Sequence, residues 1–172
     1  NLRILDLGSA PGGWSQVIAE KVGQGNVLAV DLSEMLPIEG VKFIRKNFLD
    51  DDTKDVIMSH LKKVDVITND MAPNTSGDKK IDHIRIIELA KQALSVAIDI
   101  LENNGSFISK IFQGNGEKEF ISELRKYFGK VNYFKPKSSR KDSPETYIVA
   151  QQFNLFPPNG QYSMQTRQEN RF

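Results

Sequence analysis

Cysteine is absent from the 172 residues, which excludes a disulfide framework, a zinc ribbon and a cysteine nucleophile together. Histidine occurs only as His60 and His83, so a histidine-rich metal site is not expected. No apolar run approaches the roughly 20 residues that a bilayer-spanning helix needs, and nothing at the N-terminus reads as a signal segment. A cytoplasmic location, or the mitochondrial matrix in a eukaryote, is the expectation. Net charge is scarce too. The 23 Lys+Arg and 22 Asp+Glu leave +1, so attraction to a polyanion must come from local clusters rather than from the whole molecule.

What is present is ordinary for a globular chain: 39% hydrophobic and 26% charged residues, enough for one core and hardly two. Residues 4–7 read as a short apolar strand, 8–13 as a glycine-rich turn and 14–22 as a helix. Strands follow at 26–30, ending in Asp31, and at 41–44; then come a helix at 52–61 and a strand at 64–68 running into Asn69-Asp70. Apolar Ile84, Ile87, Ala90, Leu94, Ala97, Ile98 and Leu101 recur at helical spacing, and Asn103-Asn104-Gly105 would end that helix. A strand at 106–112, a helix at 117–127 and strands at 131–134 and 146–150 complete the set.

Alternating strands and helices predict an α/β, Rossmann-like fold: a seven-stranded, mostly parallel sheet with helices on both faces and ligands beyond the carboxyl ends of the strands. No helix separates the last two strands, so the final one is expected to pair antiparallel at one side of the sheet. Residues 1–150 form one predicted domain. From Gln151 to Phe172 the chain turns to glutamine, asparagine and a Pro157-Pro158 pair, and a mobile tail without a catalytic part is expected there.

The segment Asp6-Leu7-Gly8-Ser9-Ala10-Pro11-Gly12-Gly13-Trp14 puts glycines where a strand turns into a helix and backbone amides can approach a ligand. It is not the GxGxxG of a dinucleotide site, because Ser9-Ala10-Pro11 follows Gly8; an NAD-dependent oxidoreductase is disfavoured on that ground. Asp31, placed to accept from ribose hydroxyls, points to an adenosine-type ligand, and S-adenosylmethionine suits a site lacking a pyrophosphate turn. Trp14 reads either as cofactor contact or as core.

This run closely resembles the first motif of the FtsJ/RrmJ (RlmE) family of ribosomal RNA ribose 2′-O-methyltransferases, and the likeness spans about residues 1 to 150. The resemblance implies a cofactor site around Gly12, Trp14, Asp31, Asn47 and Asp70, and the expected cofactor-binding set extends to Asp6, Gly8, Ser9, Pro11, Gly13, Leu32 and Phe48. Position 47 departs from the family, which commonly has Asp in a GDF-like triplet where this chain has Lys46-Asn47-Phe48. Asparagine could donate to adenine N1 or accept from the exocyclic amine.

Asn69-Asp70-Met71-Ala72-Pro73-Asn74 lacks the aromatic of the DNA amino-methyltransferase motif that stacks on a flipped base. It resembles instead the ribose methyltransferase pattern, as do the segments around Lys110 and Glu145. A ribose hydroxyl is a poor nucleophile at neutral pH and needs help to lose its proton. The resemblance implies Lys110 as base, oriented by Asp70 and Glu145. A lysine serves as a base only when a nearby cation or desolvation lowers its pKa, and acids alone push it the other way. The family supplies a second lysine upstream of the cofactor loop, whereas this chain opens three residues before the first strand. A polypeptide that binds cofactor yet methylates poorly is therefore expected.

Lys135, Lys137, Arg140 and Lys141 crowd a loop ahead of Glu145, and Lys79 and Lys80 follow Asn74 on the opposite lip. They read as phosphate contacts for RNA or as a solvated charge run. Lys42, Arg45 and Lys46 add charge farther off, and His83 reads as a solvated helix residue. The resemblance implies a uridine of 23S rRNA in the large ribosomal subunit as target, and a monomer is the expectation. The alternatives are a non-catalytic cofactor- and RNA-binding assembly factor, or an enzyme acting on tRNA or an mRNA cap. The sequence shows no aromatic cluster for cap guanine.

Overall fold

The computed structural model describes residues 2–23, 25–73, 76–137, 139 and 143–155. In chain order the elements are β1 (Ile4–Leu7), α1 (Gly13–Val22), β2 (Val27–Asp31), β3 (Val41–Arg45), α2 (Asp51–Leu61), β4 (Val64–Asn69), α3 (Lys79–Ile100), β5 (Leu101–Phe112), α4 (Glu117–Leu124), β6 (Phe128–Phe134) and β7 (Glu145–Phe153). The strands form one sheet in the order β3-β2-β1-β4-β5-β7-β6. Pairing is parallel from β3 across to β5, and β7 runs antiparallel to both β5 and β6. This is the predicted Rossmann-like methyltransferase sheet, with one change of place: β7 lies inside, between β5 and β6, and β6 takes the edge.

The main core cluster lies on one face of the sheet. Leu5 and Leu7 of β1, Leu28 and Val30 of β2 and Phe107 and Ile111 of β5 meet α2, α3 and α4 through Ile57, Leu94 and Phe120, each at most 1% exposed. Period-2 alternation sends the intervening residues to the other face, where α1 is the helix packed on β2 and β3. At the start of α3, Asp78 Oδ1 accepts from the N–H groups of Lys80 at 2.8 Å and Ile81 at 3.4 Å, satisfying amides that have no partner within the helix.

Several boundaries differ from the sequence expectation. Helix α3 ends at Ile100, because Leu101 already adopts extended angles, and Asn103-Asn104-Gly105 forms an irregularity within β5 instead of a helix stop. Val64 pairs with Leu101 but Val66 with Ser106, so the turn chemistry of Asn104, at φ 65°, is spent on a bulge. Helix α4 stops at Leu124, and Lys126 and Tyr127 continue in tight turns by donating to the carbonyls of Glu123 and Leu124, each at 3.0 Å. Strand β7 runs to Phe153, so the first three residues of the expected tail are sheet. Phe153 is 2% exposed and stacks 5.3 Å from Phe128; that burial carries the strand past the glutamines. The expectation for residues 156–172 lies outside the described residues.

Candidate active site

Parallel strands point their carboxyl ends the same way, so Gly8, Asp31, Asn47 and Asp70, each at or just past a strand end, gather along one edge. Because β7 is antiparallel, its beginning reaches that edge as well: Glu145 pairs with Phe112, and Tyr147 with Lys110.

The turn after β1 needs its glycines. Gly8 sits at φ 68°, and a Cβ there would lie 2.1 Å from Met71 Cγ; Gly12 sits at φ 113°, where a Cβ would lie 2.5 Å from Ile38 Cδ1. Beneath the turn Asp6 is fully buried and accepts from Ser15 Oγ at 2.6 Å and Thr68 Oγ1 at 2.7 Å. Burial pushes its carboxyl above the usual carboxylate range, and those two hydrogen bonds hold it down in part. Asp6 thus ties β1, α1 and β4 together under the loop, and it does not line the cavity above. Ser9 Oγ is buried without a hydrogen-bond partner among the described residues. Pro11 and Gly13 are exposed, and Gly12 is buried.

A cavity of about 840 Å³ opens over the strand ends, walled by Gly8, Asp31, Leu32, Asn47, Phe48 and Asp70. Asp31 is held rigidly: Oδ2 accepts from the Ala10 N–H at 2.9 Å and Oδ1 from the Ser33 N–H at 2.7 Å. The far wall comes from α3, as Arg85, Glu88, Leu89 and Gln92. These four were missed in the sequence, although their spacing of three, four and seven is that of a single helix face.

Beside this cavity lies a second, of about 620 Å³, lined by Trp14, Phe134, Pro136, Ser139, Glu145 and Tyr147. Trp14 therefore faces the second cavity, its ring 5.3 Å from that of Tyr147. Positions 14, 134 and 147 are too far apart in sequence to be read as an aromatic cluster, yet β6–β7 pairing sets Phe134 opposite Tyr147. A hydrogen bond joins the walls of the two cavities, from Tyr147 of the second to Asp70 of the first. Lys110, only 7% exposed, places Nζ 3.1 Å from Asp70 Oδ1 and donates to the Asp70 carbonyl at 2.8 Å. The Tyr147 hydroxyl donates to the same Oδ1 at 2.8 Å. Burial pushes the Tyr147 hydroxyl well above the ordinary tyrosine range, and the bond to Asp70 pushes it further. Glu145 stands two residues from Tyr147 on the same face of β7; among the described residues no ion pair joins it to Lys110.

The family model for FtsJ-like methyltransferases matches residues 1–153. The chain belongs to that family. It is 47% identical over 156 residues to a Ribosomal RNA large subunit methyltransferase E of Francisella philomiragia, covering 89% of this chain and 76% of that one. It is 45% identical over 157 residues to the protein of the same name from Rickettsia bellii, covering 87% and 69%. A structure described as that of a ribosomal RNA methyltransferase of Plasmodium falciparum superposes with a TM-score of 0.79 at 29% identity, covering 89% of this chain and 87% of that chain. A Streptococcus mutans protein described as a methyltransferase, in complex with SAH, shares the fold at TM-score 0.54 and 15% identity.

As an FtsJ-like methyltransferase the chain uses S-adenosylmethionine, and the larger cavity fits it. Its volume lies within the range of roughly 300–1,000 Å³ usual for small-ligand sites. Its glycine turn admits close approach, and its anchored carboxylate can accept from a ribose.

The FtsJ-like domain distributes its cations unevenly. Lys79 and Lys80 open α3 and are exposed. Lys137 is exposed, and Lys135 donates to the Ser143 carbonyl at 2.6 Å; Arg140 and Lys141 lie outside the described residues. Arg45 is paired with Glu34 at 2.6 Å, Lys46 with Asp52, and Lys42 meets His60 Nε2. Internal partners thus occupy the more distant cations. His83 is half-buried, 5.5 Å from the Phe112 ring and against Gly114, instead of standing free in solvent. Among the described residues no group of three or more His, Asp or Glu could hold a metal ion, and no helix is long and apolar enough to cross a membrane.

Proposed function

We propose that the chain methylates a ribose 2′-hydroxyl of large-subunit ribosomal RNA, with Lys110 as the residue that takes the hydroxyl proton. The observation that carries this reading is the position of Lys110 Nζ: nearly buried and fixed by two oxygens of Asp70, a residue that lines the cofactor cavity and is hydrogen-bonded to Tyr147 in the wall of the aromatic one. The names of the 47% and 45% identical relatives support the choice of RNA.

S-adenosylmethionine, when bound, supplies a methyl group on a positively charged sulfur. The chain's residues do the rest. Asp31 would accept from the cofactor ribose, the Gly8–Gly12 turn would receive its amino acid end, and Asn47 and Phe48 would meet its base. In the second cavity Trp14, Tyr147 and Phe134 offer faces for the target nucleobase, since every base stacks on aromatic rings. The methyl carbon would pass from sulfur to the hydroxyl oxygen, leaving the sulfur neutral, and Lys110 Nζ would take the hydroxyl proton when that amine is unprotonated. Asp70 fixes Nζ, with Tyr147 and Glu145 beside it. Lys79, Lys80, Lys135, Lys137, Arg140 and Lys141 bind phosphates. The sequence argued against a cap substrate from a lack of clustered aromatics; the fold removes that ground, and the relatives' names favour ribosomal RNA in its place. The reading goes with a monomer that meets large subunits in the cytoplasm.

The test is methyl transfer to isolated large ribosomal subunits by the wild-type chain and Lys110→Met, with the methylated atom mapped. A proton-transfer role predicts a loss of about a hundredfold or more with S-adenosylhomocysteine binding retained. Undiminished transfer, or a methyl found on a base, would sink the reading.

A further inference from the structure

Asn47 stands between the end of β3 and the start of α2, and its side chain is tied into that turn. The Leu49 N–H donates to Asn47 Oδ1 at 3.1 Å, while the Asp50 N–H donates to the Asn47 carbonyl, also at 3.1 Å. A backbone N–H can only donate, so the side-chain atom in the turn must be the amide oxygen. The other terminal atom is then Nδ2, which offers two hydrogens and accepts none.

An adenine edge presents two kinds of group: N1 accepts, and the 6-amino group next to it donates. A carboxylate at position 47 could keep one oxygen in the turn and use the other to accept from the amine. The amide has no second oxygen, and its nitrogen would meet the amine donor to donor, leaving both unsatisfied. Toward N1 the same nitrogen is complementary. We propose that Asn47 recognises the cofactor's base by donating from Nδ2 to adenine N1, so that the site does not depend on the 6-amino group. This rests on the larger cavity being the adenosine site of the cofactor.

The experiment is calorimetric titration of the chain with three probes: S-adenosylhomocysteine, its analogue with hydrogen in place of the 6-amino group, and its 1-deaza analogue. Wild type is expected to bind the first two within about threefold of each other and to lose about tenfold on the third, the worth of one hydrogen bond. Asn47→Asp keeps an acceptor for Leu49 and replaces Nδ2 by an oxygen. It should favour S-adenosylhomocysteine over the analogue lacking the amine by about tenfold.

A wild-type loss of more than about threefold on the analogue lacking the amine overturns the proposal, and would point to acceptance by Glu88 or Gln92 across the cavity. Full affinity for the 1-deaza analogue overturns it too, as does an Asn47→Asp variant indifferent to the amine. Failure of S-adenosylhomocysteine itself to bind would bring down the cofactor reading instead.

Discussion

Tyr147 and Lys110 meet the same atom. The tyrosine hydroxyl is 2.8 Å and the ammonium nitrogen 3.1 Å from Asp70 Oδ1, and the two residues are cross-strand partners in β5 and β7. Their side chains share a face of the sheet because residues directly opposite in a ladder point the same way. Asp70 arrives from the end of β4, so three strands contribute to one oxygen's surroundings.

Tyr147→Phe removes one donor from Asp70 while leaving its pairing with Lys110. The loss of a single hydrogen bond, about 1 kcal/mol, should lower thermal stability slightly and methyl transfer by at most about tenfold. Binding of S-adenosylhomocysteine should be unchanged. A drop as large as that of Lys110→Met would place the tyrosine among the reacting groups.

Asp70→Ala leaves the Lys110 ammonium nearly buried without its counter-charge, which is costlier than removing both members of a pair. The double variant Asp70→Ala, Lys110→Met is therefore expected to withstand more denaturant than Asp70→Ala alone. Chemical denaturation of the three chains settles the order, and a less stable double variant would contradict the burial argument.

Asp6 gives the stability a pH dependence of definite sign. Burial raises its folded pKa above the ordinary 3.8, so the folded state keeps that proton to higher pH than the unfolded chain does. Its contribution is complete below the unfolded value and is lost as pH rises through the folded value. Asp6→Asn, which cannot ionise, should gain stability relative to wild type as pH rises above the ordinary carboxylate value of about 4. Melting temperatures at increasing pH test it; a constant difference would mean that Asp6 does not titrate there.

Phe153→Ala should cost about 3 kcal/mol or more, as truncation of a buried aromatic does, although the residue falls in the stretch whose composition reads as a tail. A change within experimental error would contradict the packing of Phe153 against Phe128.

Lys137→Ala should weaken binding to RNA fragments of any sequence and flatten the dependence of log affinity on log salt by somewhat less than one. An unchanged slope would remove Lys137 from the phosphate contacts.

The strand ends were legible because they combine two local signals. A short apolar run stops at a glycine or an acid, as at Leu7-Gly8, Val30-Asp31 and Asn69-Asp70, and such stops occur where parallel strands leave a buried sheet. Lys110 and Glu145 were legible only through their resemblance to family motifs, and Tyr147 was missed, since nothing local announces that residues 37 apart, such as 110 and 147, will be opposite each other. The depth of Asp6 was hidden for a related reason. Its place in a loop motif suggests contact with ligand, whereas strand alternation turns it under the sheet to meet Ser15 and Thr68. Arg85, Glu88, Leu89 and Gln92 escaped because the polar face of a helix looks alike whether it borders water or a cavity. The Asn103-Asn104-Gly105 turn signal was sound, but local chemistry cannot tell a helix stop from a bulge when a strand begins at once.

The insertion of β7 between β5 and β6 bears on the history of each molecule as well as on its finished shape. A growing chain can pair β1 through β5 as they appear, but the gap beside β5 stays open until β7 has been made. Until then Asp70 lacks its tyrosine, the aromatic cavity lacks a wall, and Glu145 is nowhere near Lys110. A half-made chain can shape the cofactor cavity before it can shape the second one. The aromatic cavity is completed last, with the strand that locks the sheet.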